Sequence, residues 1–275
     1  MPITLGGLEV RSTKNLINEN TRICCMTYAS CKSGKTQMAA TMHKYCLTKY
    51  GKPGIFIAFE SAEGGGTTTV QDQDIPFVQP KDLKETEAVL RGLLTDTNYA
   101  AVFIDNMTDM VNNIVKPYAL SFPSRDQVPT RAAGVPERSD YQTMGERTRV
   151  LTNMMIALTK TTDPKYRKHL IVNCLQDERR NNRGEIEFVG PELPGALQEA
   201  APAMFEMLTR IKTGSKVVKN EATGISSKQA TFTFITQQDG IHKAGDRYKT
   251  FPAEYECDWE KLMINFWEPR INATK

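Results

Sequence analysis

The sequence predicts an α/β fold: a mostly parallel central sheet flanked by helices, with a late antiparallel hairpin. Three observations predict it. An apolar run, residues 23–28, leads straight into Ala29-Ser-Cys-Lys-Ser-Gly34-Lys35-Thr36 and then a helical pattern. Short apolar runs alternate with helix-forming segments through residue 175, the pattern of parallel strands joined by right-handed crossovers. Two late strands, 207–212 and 230–236, read as a hairpin joined by the basic segment 213–228.

The elements follow in order. A short extension, 1–20, precedes a core at 21–255 and a tail at 256–275. The first helix runs from Gly34 to about Lys49 and stops before Gly51-Lys-Pro-Gly54. A strand at 54–59 follows, then Glu60-Ser-Ala-Glu63 and three glycines that read as a turn. Asp82 with Glu85 three residues on is a capping box, and Leu83, Val89, Leu90, Leu93 and Leu94 have helical spacing. Tyr99 precedes the strand Ala-Ala-Val-Phe-Ile-Asp105. Prolines 117, 123, 129 and 136 with Gly134 mark a long loop from Lys116 to Asp140. A helix at 141–161 carries Val150, Leu151, Met154, Met155 and Leu158 on its apolar side. A buried strand at 169–175 precedes a second polar loop, Asp177 to Gly190.

The segment around Gly34 carries the chemistry. Gly-x-x-x-x-Gly-Lys-[Ser/Thr] is a phosphate-binding loop, and here only the first Gly differs, being Ala29. Ala29, Ser30, Cys31, Lys32, Ser33 and Gly34 would offer successive backbone N–H groups as an anion nest. Lys35 would reach the β- and γ-phosphates, and the Thr36 hydroxyl would take a Mg²⁺ position. The helix N-terminus adds positive potential. Asp105 ends an apolar strand, where its carboxylate would hold Mg²⁺ through water beside Thr36. Glu60 and Glu63 compete for the role of the carboxylate that polarises an attacking water. Glu60 stands at the strand end and Glu63 lies in the loop.

Composition bounds the rest. The chain has 275 residues, 40% apolar and 24% charged, as in globular proteins. No apolar run approaches a membrane span, and Met1 to Glu9 lacks a secretory pattern, so a cytoplasmic location is expected. Six cysteines form no C-x-x-C pair and are expected to be reduced core residues, Cys31 excepted. Three histidines are far apart, without metal-site spacing. The net charge of +3 is too small to prove a nucleic-acid partner.

The order of motifs resembles the RecA-like core ATPases, and within them a phage-encoded group, the RecA-like branch of the Sak single-strand annealing proteins. The stretches that carry the resemblance are Ser33-Gly-Lys-Thr36, Glu63-Gly-Gly, Ile104-Asp105-Asn-Met-Thr, Tyr141-Gln-Thr-Met-Gly-Glu-Arg, His169-Leu-Ile-Val-Asn with Gln176-Asp-Glu, Pro191-Glu-Leu-Pro-Gly195-Ala-Leu, and Gly245-Asp-Arg-Tyr-Lys-Thr-Phe-Pro252. They span residues 20–255. The Pro-Glu-Leu-Pro-Gly run and the late Asp-Arg are the more specific; the phosphate-loop motifs are shared by very many NTPases.

The resemblance implies an ATP- and Mg²⁺-dependent ATPase that binds single-stranded DNA, promotes annealing and recombination, and assembles with itself as a ring or filament. A single-strand DNA-binding protein is a further expected partner; no membrane is. It favours Glu63 over Glu60 as the catalytic carboxylate. It makes Gln176 the γ-phosphate sensor, with Asn173, inside the apolar run, the weaker candidate. It sends Arg247, with Lys243 and Lys249 in reserve, into a neighbour's ATP as a basic finger. DNA would contact Arg125, Arg131 and Arg138 in one loop, or Arg179, Arg180 and Arg183 in the other, with Phe122 or Phe188 stacking on bases. Both loops also carry acids (Asp126, Glu137, Glu185, Glu187), and the charge pattern by itself is more often that of a solvated face. A phosphotransferase acting on a small molecule and a nucleotide-gated assembly protein without DNA are the alternative readings.

Overall fold

The computed structural model describes residues 4–5, 8–9, 17–60, 65–123, 134–219 and 226–273. A small hairpin, β1 (Thr4–Leu5) and β2 (Leu8–Glu9), comes first. The core begins with β3 (Cys24–Ala29), α1 (Lys35–Tyr50) and β4 (Gly54–Ala58). Then come β5 (Phe77–Val78), α2 (Leu83–Thr95) and β6 (Ala101–Asp105). A bent helical segment follows: α3 (Met107–Met110), a π-turn at Val111–Val115, and α4 (Lys116–Leu120). The long α5 (Arg138–Lys160) leads to β7 (His169–Arg180) and β8 (Ile186–Pro191). The last third holds α6 (Leu197–Ala203), β9 (Met207–Lys219), β10 (Ser226–Ile235), β11 (Gly245–Asp246), β12 (Glu254–Glu256), α7 (Trp259–Leu262), a second π-turn and α8 (Glu268–Asn272).

One sheet organises them, in the order β12-β10-β9-β3-β7-β6-β4-β5. Strands β9, β3, β7, β6, β4 and β5 run parallel. The late strands β10, β12 and β11 are antiparallel, and β8 folds back on β7. The central strands are apolar on both faces because both faces are covered. Met26, Ile57, Ile104 and Val172 pack under α2, α3, α5 and α6. Cys25, Phe56, Phe103 and Ile171 pack under α1 and the C-terminal helices. Trp259, Leu262, Met263 and Trp267 of the segment set apart as a tail are fully buried in this second layer. Cys24, Cys25, Cys46 and Cys174 are buried free thiols, and Cys31 is exposed.

Three boundaries differ from the sequence reading. The loop expected from Lys116 begins as helix α4, and α5 starts at Arg138 rather than 141. Strand β7 runs five residues past Leu175, so much of the Asp177 to Gly190 loop is a hairpin. The joining segment 213–228 is mostly strand, since β9 reaches Lys219 and β10 starts at Ser226. In each antiparallel extension the outer side chains face water, so no apolar period marks the strand; the backbone ladder alone makes it. The Asp82 cap holds: its carboxylate accepts from Glu85 N at 2.8 Å, and Glu85 accepts from Lys81 N.

Two histidines are structural. His169 is fully buried and its Nδ1 accepts from Ile23 N at 3.0 Å. A neutral ring then carries its proton on Nε2, which donates to the Tyr50 hydroxyl at 3.1 Å. Burial first, then the positive charge of Arg22, holds His169 well below the usual 6.5. His43 accepts from Gly54 N, and burial lowers it too. Both rings stay neutral in the folded state while the unfolded chain takes up protons below that pH, so stability falls on acidification. His169 alone is expected to cost about 1.4 kcal/mol between pH 7.5 and pH 5.5. Urea unfolding at the two pH values measures this. His169→Gln should lower stability at neutral pH and flatten the pH slope; an unchanged slope refutes the assignment.

Candidate nucleotide site

The site lies at the C-terminal edge of the parallel strands, where open α/β sheets place their ligands. The loop between β3 and α1 contains residues 30–34. Ala29 is the last residue of β3, paired in regular register with Leu175 and fully buried. Its φ is not positive, so a methyl group is accommodated where the motif has Gly. Positive φ falls instead at Lys32 (59°) and Gly34 (82°). Gly34 is the left-handed cap of α1, and a side chain there would be strained whatever the space. Ser30, Cys31 and Lys32 are exposed and Ser33 is buried. The Ser33 hydroxyl has no hydrogen-bond partner among the described residues.

Lys35 is folded into this loop. Its Nζ donates to Ala29 O at 3.1 Å and Ser30 O at 2.8 Å. Burial lowers its pKa, opposed chiefly by the Asp105 carboxylate. Thr36, one residue on, donates its hydroxyl to Asp105 Oδ2 at 2.7 Å. Asp105 is buried at the tip of β6, and its Oδ1 accepts from Asn173 Nδ2 at 3.2 Å. Burial raises its pKa; the hydrogen bonds from Thr36 and Asn173 oppose the rise. The sheet order makes this contact: β7 lies between β3 and β6, so Asn173 reaches the carboxylate from the intervening strand.

Glu60 completes the group. It follows β4, and burial raises its pKa, with the negative charges of Asp105 and Asp109 adding to the shift. The Gly66 N–H and Lys35 oppose it. Gly66 explains part of the glycine run. A Cβ built there would stand 3.0 Å from Thr36 Oγ1, 3.2 Å from Asp105 Oδ2 and 3.3 Å from Glu60 Oε1. Three predicted site residues thus converge on one point, and a glycine admits the backbone there. Glu63 lies outside the described residues.

The surroundings hold residues the sequence reading passed over. Asn106 caps α3, accepting from Asp109 N at 2.9 Å and donating to Asp109 Oδ2 at 2.6 Å. Thr108 donates to Glu192 O at 2.9 Å and accepts from Leu175 N at 3.1 Å, which ties the Pro-Glu-Leu-Pro-Gly run to the middle of β7. An Asn directly after the strand-end Asp, with an acidic residue three positions further on, was the available signal for the α3 cap. Gln176 is partly buried and donates to Glu178 Oε1 at 3.1 Å.

The basic candidates are dispersed. Arg179 stacks on Phe188, 4.1 Å from the ring centre, and lies 3.5 Å from Glu199. Arg180 pairs with Glu178 and donates to Gly184 O. Arg183 sits in the turn of the same β7–β8 hairpin. Arg138 opens α5; Arg125 and Arg131 lie outside the described residues. Arg247 donates to Ala203 O at 2.9 Å and pairs with Glu206 at 3.6 Å. Strand β11 beside it pairs with Met207, which pairs with Cys25, so Arg247 stands near the end of β3 away from its own Lys35. Lys243, Arg247 and Lys249 line one cleft of about 560 Å³ with Phe188, Phe205 and Glu206. Asp246 is a turn residue: its carboxylate accepts from the backbone N–H groups of Tyr248, Thr250 and Phe251.

Among the described residues no cluster of three or more His, Cys, Asp or Glu has metal-holding geometry. Thr36 and Asp105 fit the sparser pattern of Mg²⁺, which takes one or two protein ligands and completes its shell with phosphate and water. No helix among the described residues is long and apolar enough to cross a membrane. No protein-family model and no curated protein matches the chain.

Proposed function

We infer that the protein is a RecA-like P-loop ATPase that binds single-stranded DNA and promotes its annealing. The observation that carries the nucleotide part is the junction of loop, hydroxyl and carboxylate: the Ser33–Gly34 turn after β3, Lys35 at the start of α1, and Thr36 bonded to Asp105 at the tip of β6. The orphaned Ser33 hydroxyl, the left-handed Gly34 and the start of α1 suit a phosphate. Thr36 and Asp105 are the residues that would hold Mg²⁺, Asp105 through water, and the ion would supply charge neutralisation on the phosphates. Glu60, its carboxyl raised by burial beside this group, suits a base that orients water.

The DNA part rests on the motif resemblance and on the β7–β8 hairpin. That hairpin continues directly from the strand carrying Asn173 and Gln176, so a change at the nucleotide is one strand away from Arg179, Arg180 and Arg183. Arg247 stands far from its own phosphate loop, so as a finger it would act on a neighbouring copy.

The test is binding to a labelled single strand with and without ATP and Mg²⁺, across a salt series. Replacing Arg179, Arg180 and Arg183 together by Gln should weaken binding and flatten log K against log salt by about 2, since each lost phosphate contact removes ~0.7 of slope for single strands. An unchanged slope clears the hairpin of DNA contact. A wild-type protein that binds no single strand under any nucleotide condition ends the annealing reading.

A further inference from the structure

The β9–β10 ribbon has features that the nucleotide site does not use. Tyr28 of β3 pairs with Arg210 of β9, one residue before β3 ends, so β9 beyond Ile211 runs past the edge of the parallel sheet. From Lys212 to Lys219 that is about 25 Å of strand, paired throughout with β10 from Ser226 to Thr233. Residues 212–217 and 226–230 are all exposed. The two strands together contain Arg210, Lys212, Lys216, Lys219 and Lys228 and no acidic residue. That is more positive charge than the whole chain's net of +3. Lys212, Lys216 and Lys228 have no carboxylate partner among the described residues.

The register defines what the ribbon presents. Lys212 and Lys216 share a face with Gly214, and their cross-strand partners Thr233, Gln229 and the intervening Thr231 lie on that face too. Lysines with hydroxyl and amide donors are the set that contacts phosphate oxygens. Lys228 is opposite Val217 on the other face, so each face carries lysine; Glu256 of β12, opposite Thr233, borders the Lys212–Lys216 face and is itself paired with Lys261. No aromatic side chain of the two strands is exposed: Phe234 is buried and Phe232 lies against Gly34. A surface for single strands would offer rings for unstacked bases, and one for lipid would offer an apolar wedge. A two-stranded ribbon with cationic, hydrogen-bonding faces fits a duplex, whose major groove admits such a ribbon.

We propose that the β9–β10 ribbon is a sequence-independent contact for the phosphate backbone of duplex DNA. This deepens the annealing reading, since it names the product of annealing as the ribbon's ligand, and it uses residues separate from the β7–β8 hairpin.

The experiment compares the wild type with the triple variant Lys212→Gln, Lys216→Gln, Lys228→Gln on a short blunt duplex and on one of its single strands, each over a salt series. The variant's melting temperature and its ATP hydrolysis without DNA check that it folds. The expected result is a duplex salt slope flatter by about 2.7, at ~0.9 per lost contact for B-form DNA, with single-strand binding unchanged. A wild type that does not bind duplex, or a folded variant with an unchanged duplex slope, overturns the proposal. Loss confined to the single strand overturns it in favour of a single-strand arm, and binding to anionic phospholipid vesicles without duplex binding overturns it in favour of a membrane surface. The hairpin experiment above reads out independently, so the annealing reading and the ribbon can fail separately.

Discussion

Lys35→Ala is expected to lower ATP hydrolysis by at least ~10²-fold, the effect of removing one preorganised charge donor from a transition state. The ammonium is buried in the loop and held by Ala29 O and Ser30 O. Burial depresses its pKa, so a phosphate beside it would relieve an existing cost as well as form a new pair. Removing it leaves two backbone carbonyls without their donor, at an edge where Ser30 is exposed to water. The fold should therefore survive, because the two core layers do not depend on this side chain. Phosphate release and nucleotide affinity, with a thermal melt as control, measure it. Hydrolysis at the wild-type rate by the folded variant would remove the nucleotide assignment.

Glu60→Gln should have an effect of similar size by a different route. Its carboxyl is raised by burial and by Asp105 and Asp109, which brings a base towards neutral pH. Glutamine keeps the shape and the hydrogen bond capacity but cannot take a proton. Turnover should fall by ~10²–10⁴-fold, with nucleotide affinity retained or improved because one negative charge is gone from the site. Glu63→Gln, measured alongside, separates the two carboxylates that the sequence leaves open. If Glu63→Gln abolishes turnover and Glu60→Gln does not, Glu60 is a neighbour of the site and the loop residue is the base.

The sequence by itself located β3, α1, β4, α2, β6, α5 and the first half of β7, though not β5 or the α3–α4 segment, because both-face burial of a parallel strand and the helical period are local signals. It also located the Gly34 turn, Lys35, Thr36 and Asp105, since each is tied to a strand end or helix start that chain order alone reveals. It did not bring Asn173 to Asp105. That contact depends on β7 entering the sheet between β3 and β6, a crossover that no local pattern encodes. Nor could it place Gly66 against Thr36, Asp105 and Glu60, where the reason for glycine is the approach of groups distant in sequence. The extensions of β7, β9 and β10 were hidden for the opposite reason. Their side chains face water, so their composition reads as loop, and only cross-strand hydrogen bonding makes them strands. Local burial wrote the core and the Gly34 turn into the sequence. Pairing between distant segments, which buries backbone rather than side chains, decided the ribbon and the carboxylate's company.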